Sequence, residues 1–334
     1  MPIPRDNELL EPLLSCFPNV SQLEMNNVRW DNLRPEVRDH FLTQFKSMTL
    51  VSMCDVKFHS LDDLLHLLHG FPHLRTLHLR RVQWDTEAEW TCPSNHVMRV
   101  ASRTVPELRE LMLYEAPSSS SFLSGLFAGG NITCDRELRR LGLDWGDGHE
   151  DDLSILNNLV RASRSLYTLE LDLSWHGESN NVFVDECYIP FTTIRLNAVP
   201  LIPLDLSCNP NLRGIWLDGL LLDSPSSPTS LKTSWLPSLI SSIISPNVIQ
   251  IVLYIFLGNT DGVKLLDLER IDGTLSGPRF AQLQHLGFIV TILPHPDWSL
   301  PSRPDVQRII KKRMPKAHER GILKFQTGDL LRTV

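Results

Sequence analysis

The densest set of chemistry-bearing side chains is DWGDGHEDD, in which Asp144, Asp147, Glu150, Asp151 and Asp152 are hard oxygen donors suited to calcium or magnesium. Their spacing is not that of an EF-hand loop, and they stand between a strand and a helix that starts near Leu153. Acids are favoured at a helix start by its partial positive charge, so Asp151 or Asp152 capping that helix is the simpler reading. His66 and His69 share one side of a helix, but no neighbouring Cys/His pair completes a zinc set. Asp172, Ser174 and His176 are the residue types of a hydrolytic triad at a strand end, without the GxSxG turn that exposes a nucleophile. No GxGxxG or GxxxxGK[ST] stretch offers a phosphate cradle. These residues predict no catalytic centre, no metal site and no cofactor; a hydrolase or metal-dependent enzyme is the remote alternative.

Toward the C-terminus Arg303, Arg308, Lys311, Lys312, Arg313, Lys316 and Arg320 form a basic cluster, offset by Asp305 and Glu319. It suits an acidic partner or an import signal, and equally an exposed helix with Ile309 and Ile310 turned inward. It lacks the interleaved aromatic rings that stack single-stranded nucleic acid. A net charge of -7 over 334 residues gives no overall attraction to nucleic acid either. The longest apolar run, Val248 to Leu257, is too short to span a bilayer, and MPIPRDNELLEPLL does not read as a signal peptide. The expectation is an intracellular protein, cytoplasmic or nuclear, with no membrane or nucleic-acid partner. Six dispersed cysteines without a close pair then read as buried free thiols.

The elements that position these side chains repeat. VSQLEMNNVRW from Val20, MTLVSMCDVKF from Met48 and LRTLHLRRVQW from Leu74 start 28 and 26 residues apart, the leucine-rich-repeat range. In the third unit Leu77 and Leu79 point inward from a strand while Thr76 and His78 point outward. Helices are predicted between the strands: Leu33 to Phe45, with Pro35 in its first turn and Val37, Phe41, Leu42 and Phe45 as its stripe, then Leu61, Leu64, Leu65 and Leu68 before Gly70 and Pro72. After Trp84 the intervals lengthen, with a short helical bridge from Val97 to Val105 and a serine-rich loop from Pro117 to Gly130. Leu138, Leu141 and Leu143 recur 28 residues later as Leu166, Leu169 and Leu171, with Leu153, Leu156, Leu159 and Val160 as the helical side between them.

Beyond residue 175 the pattern is irregular. Strands are expected at Thr193–Leu196, Leu212–Leu217, Val248–Leu253, Val263–Leu268, Leu283–Phe288 and Ile322–Phe325, a helix at Trp235–Ile244, and the uneven intervals leave room for hairpins. The fold expected is α/β: a leucine-rich-repeat solenoid with a curved parallel sheet on its concave face, helices on its convex face and an irregular C-terminal half. Residues 1–16 read as an N-terminal cap and 17–334 as the repeat domain, most regular over 17–175. Stacked repeats recognise partners over a broad face. Its candidate partner-binding residues are the outward positions Arg75, Thr76, His78, Arg109, Glu110, Met112, Arg139, Arg140, Tyr167, Thr168 and Glu170.

The linking phrases NNVRW, CDVKF and RRVQW, with FPHLRTLHLRRVQW and LRRLGLDWGDGHEDDLSILNNLV, resemble the leucine-rich region of fungal, mushroom-type F-box proteins. The resemblance covers residues 17 to 175 well and the rest loosely. It implies that the repeats present an unknown protein target for a cullin-type ubiquitin ligase, whose adaptor an N-terminal F-box binds. Here the first repeat begins about twenty residues from Met1, so residues 1–16 are given no adaptor-binding role. A truncated gene model or a repeat protein without the recruiting half is the expectation, and a stand-alone scaffold is the alternative function.

Overall fold

The structure, a computed structural model, describes residues 19–85, 107–115, 122–123, 137–144, 150–173, 204–222, 235–257, 259–292 and 302–327. The expected cap at 1–16, the bridge at 97–105, the strand at 193–196 and most of the serine-rich loop lie outside them. The chain divides into two compact units, Met1–Leu141 and Gly142–Val334.

In the first unit the alternating pattern becomes strands β1 (Gln22–Asn26), β2 (Leu50–Cys54), β3 (Lys57–Phe58), β4 (Thr76–Arg80), β5 (Gln83–Trp84) and β6 (Glu110–Tyr114). β1, β2, β4 and β6 pair in parallel in that order, and β3 pairs with β5. Register places Leu23, Val51, Leu77 and Leu111 in one row and Met25, Met53, Leu79 and Leu113 in the next. Except for Leu23 these side chains are buried, so this face of the sheet is the core face. Helix α1 (Pro35–Gln44) begins on its proline, and Val37, Phe41 and Phe45 are buried as the stripe predicts. Helix α2 (Leu61–His69) is capped by Ser60, whose Oγ accepts the Asp63 amide at 3.2 Å, and buries Leu61, Leu64, Leu65, Leu67 and Leu68.

Each of the four paired strands ends in the same turn. Asn27, Asp55, Arg81 and Glu115 adopt φ of 56°, 56°, 49° and 51°, one residue past β1, β2, β4 and β6. Side chains other than glycine sit there at about 1–2 kcal/mol disadvantage. The amides of Asn27, Asp55 and Arg81 offset it by donating to the carbonyls of Cys54, Arg80 and Tyr114 at 2.9, 3.0 and 3.0 Å, the last residues of the following strands. The chain then buries Val56 or Val82 and sets the Trp30 and Phe58 rings against each other, centroids 5.6 Å apart and planes tilted by 36°. Strand starts repeat too. The carbonyl of Ser21 accepts the amides of Thr49 and Leu50, that of Thr49 accepts Arg75 and Thr76, and that of Arg75 accepts Arg109 and Glu110; Arg109 does the same for Arg139 and Arg140.

β7 (Arg140–Asp144) spans the division between the units. In the second unit helix α3 (Glu150–Ala162) precedes β8 (Thr168–Asp172) and β9 (Gly214–Leu222). There follow α4 (Trp235–Ser242), β10 (Gln250–Leu257), α5 (Leu268–Leu275), β11 (His285–Ile292), α6 (Arg303–Arg313), α7 (Pro315–Glu319) and β12 (Leu323–Thr327). β8 through β12 pair in parallel in sequence order, an α/β arrangement of sheet and helices with no hairpin among the described residues. Strands fall at four of the expected places, and the helix from Trp235 is present.

Val263–Leu268 is not a strand. Asn259 Oδ1 accepts the Gly262 amide at 3.0 Å to start a 3-10 turn over Thr260–Leu265, and Asp267 caps α5 directly after it. A Cβ on Gly262 would lie 2.3 Å from the carbonyl oxygen of Leu222, so the turn fits only because this residue is glycine. The C-terminal basic cluster is largely spent on structure. Arg313 holds Glu269 with two bonds of 2.6 Å and the Val263 carbonyl at 2.9 Å, and Arg320 donates to the carbonyls of Leu275 and Phe280 at 2.7 Å each. Arg308 pairs with Asp305, and Lys311 lies 5.6 Å from the Phe325 ring centre. Among the described residues no helix is long and apolar enough to cross a membrane.

Candidate partner-binding face

The face of the first unit's sheet opposite its leucine rows carries Thr76, His78, Glu110, Met112 and Arg140 of the predicted binding residues. Thr76 is in register with Glu110, and His78 with Met112. Glu110 is the hub. Arg140 Nη1 donates to its Oε1 at 2.9 Å, and His78 Nε2 lies 3.2 Å from the same oxygen. That imidazole nitrogen is buried against the Glu110 carboxylate. His78 first, then the Arg140 charge, hold the Glu110 carboxyl below the usual range against the opposing effect of burial.

Arg75, Arg109 and Arg139 stand one residue before β4, β6 and β7. Arg109 Nε and Arg139 Nη2 lie 3.6 and 4.0 Å from one Glu137 oxygen. Met112 departs from expectation. Its alternation places it beside His78, yet it is only 4% exposed and is withheld from a partner. A long, flexible thioether fills the space between neighbouring side chains where a shorter polar one would stand free. Tyr167, Thr168 and Glu170 belong to the second unit. There Arg213 lies 5.2 Å from the Tyr167 ring centre, Thr168 is in register with Gly214, and Glu170 is in register with Trp216. The structure therefore gathers His78, Glu110 and Arg140 into one cluster and Arg109 with Arg139 around Glu137.

A second cluster escaped sequence reasoning. Arg81 donates to both Asp55 oxygens, Nε at 2.5 Å and Nη2 at 2.6 Å, while its Nη1 lies 3.5 Å from Glu115 Oε2. Arg80 Nε reaches the other Glu115 oxygen at 3.3 Å. The Arg81 guanidinium holds Asp55 below its ordinary value and is itself pushed up by that carboxylate. Burial, then Asp55 at 3.3 Å, push the Cys54 thiol up, which disfavours a nucleophilic thiolate there. The signal lay in the second column of NNVRW, CDVKF and RRVQW, where Asp55 and Arg81 carry opposite charges on successive units.

A cleft of about 160 Å³ in the first unit is lined by Trp30, Pro35, Arg38, Asp39, Asp63, His66 and Leu67, two acids against two bases. Among the described residues no three His, Cys, Asp or Glu side chains are placed to hold a metal ion. Asp144 and Asp172 are buried, while Ser174, His176 and residues 145–149 lie outside the described residues. α3 begins at Glu150, so Asp151 and Asp152 lie inside its first turn. No protein-family model matches the sequence, and no curated protein matches it.

Proposed function

We propose that the chain is a protein-recognition module of the leucine-rich-repeat type, a curved solenoid that presents its outward strand positions to a protein target. The observation that carries this reading is the polar face of the first unit, where His78, Glu110 and Arg140 meet on a frame whose backbone groups are already paired. Binding faces need such half-exposed, mixed-polarity groups held in fixed positions. The resemblance to fungal F-box proteins supports the narrower reading that the target is a substrate held for a cullin-type ubiquitin ligase. On that reading ubiquitin chemistry belongs to partner enzymes and the chain itself is no enzyme. The alternative is a stand-alone scaffold.

The test is affinity purification of the tagged chain from its native organism, in parallel with the double variant E110A/R140A, followed by mass spectrometry. Removing both partners avoids stranding one charge. A target retained by the unaltered chain and reduced about tenfold by the double variant, a difference of about 1.4 kcal/mol, supports the face. Adaptor and cullin peptides beside it support the ligase role, and their absence beside a reproducible target supports the scaffold. Equal retention by a folded double variant rejects this face.

A further inference from the structure

We propose that the arginine row at the strand starts of the first unit, Arg75, Arg109 and Arg139, receives the carboxylates of an extended acidic peptide lying across the strands. This rests on the recognition reading above and names the chemistry of its partner. The shared carbonyls that join Arg75 to Arg109 and Arg109 to Arg139 place the three on successive strands, a pitch of about 4.8 Å. Three like charges at that pitch repel one another, and the described residues provide little to neutralise them. Glu137 serves two of them with one oxygen, at 3.6 and 4.0 Å, where a well-formed pair would close to about 2.7–2.9 Å. Among the described residues Arg75 has no side-chain partner and is exposed. Glu110, beside Arg109, is already committed to Arg140 at 2.9 Å and to His78 at 3.2 Å, so it does not relieve the row.

Side chains of 39% exposure at Arg109 and 55% at Arg139 leave the guanidinium donors open to an incoming anion. Glu137 shows what they accept, a carboxylate held loosely enough to be displaced. Alternate side chains of an extended peptide recur every ~6.7 Å, and long arginine stems absorb the difference from the strand pitch. A nucleic-acid backbone fits less well. No aromatic ring is interleaved in the row to stack a base.

The experiment is fluorescence anisotropy on the purified full chain with a labelled ten-residue Glu/Ser peptide, with a Lys/Ser peptide and oligo-dT as comparators. The acidic peptide is expected to bind at low salt and weaken as salt rises from about 50 to 200 mM. R75A, which strands no internal partner, weakens it about threefold, R75A/R109A/R139A about tenfold or more, and E137Q tightens it about twofold by removing the competing carboxylate. No binding of the acidic peptide at low salt, unchanged binding by a triple variant with an intact circular-dichroism spectrum, or tighter binding of oligo-dT overturns the proposal. If the peptide fails while a target from affinity purification is still lost by E110A/R140A, only the acidic-peptide assignment falls.

Discussion

At the residue scale the four positive-φ positions divide by what their side chains do. Asn is the side chain best able to adopt this conformation, so Asn27→Gly should leave the urea midpoint nearly unchanged. Asn27→Val, with a branched Cβ in the same conformation, should cost about 1–2 kcal/mol. Arg81→Ala should cost about 0.5–1 kcal/mol, because its bidentate partner Asp55 is lost but both side chains are over a third exposed and screened. Glu110 gives a pH signature. Its carboxyl is held below the ordinary 4.5, so the stabilisation it supplies is fully present above that value and is lost as pH falls through the lowered one. Urea unfolding of the unaltered chain and Glu110→Gln should therefore differ at pH 6 and converge in acid. A gap that persists at the lowest pH would dissociate Glu110 from that dependence. The outward alternation of Thr76, His78 and Glu110 was legible from leucine spacing. The burial of Met112 was not, because it depends on the side chains around it rather than on its own position.

At the element scale, strands announced themselves by period two and helices by apolar stripes, as in α2, whose Leu61, Leu64, Leu65 and Leu68 are all buried. The misreading at Val263–Leu268 had an equally local cause. Asn259 ahead of the run and Asp267 within it both cap helical turns, and capping outweighs β-propensity in so short a segment. A longer-range cap was not legible at all. Buried Asp272 on α5 accepts the amides of Lys316 and Ala317 at 3.1 and 2.8 Å and so anchors the start of α7, 44 and 45 residues away in sequence. Asp272→Ala would orphan both amides and should cost about 2 kcal/mol in thermal or urea unfolding, more than Arg313→Ala, whose partner Glu269 is 59% exposed. Equal losses from the two variants would count against the cap as the stronger tie.

At the scale of the whole molecule, the division near Leu141 was hidden in the sequence, because LRRLGLDW runs across it on the same plan as FPHLRTLHLRR. Within each unit parallel pairing sets a gradient of protection. Among the described residues β2 is paired on both sides whereas β1 is paired only with β2, and β11 is paired on both sides whereas β12 is paired only with β11. Amide hydrogen exchange should accordingly be slower in β2 than in β1 and in β11 than in β12; the reverse order would contradict these sheet ends. The shared carbonyls at the strand starts have a further consequence for how such a chain changes over generations. Since each accepts two amides at the start of the next strand, the side chains beside it at Ser21, Arg75 and Arg109 are excused from holding the frame. Mutation can rewrite them one position at a time while the scaffold persists, so descendants of this sequence, or members of a randomised library built on it, can acquire new specificities without first acquiring a new fold.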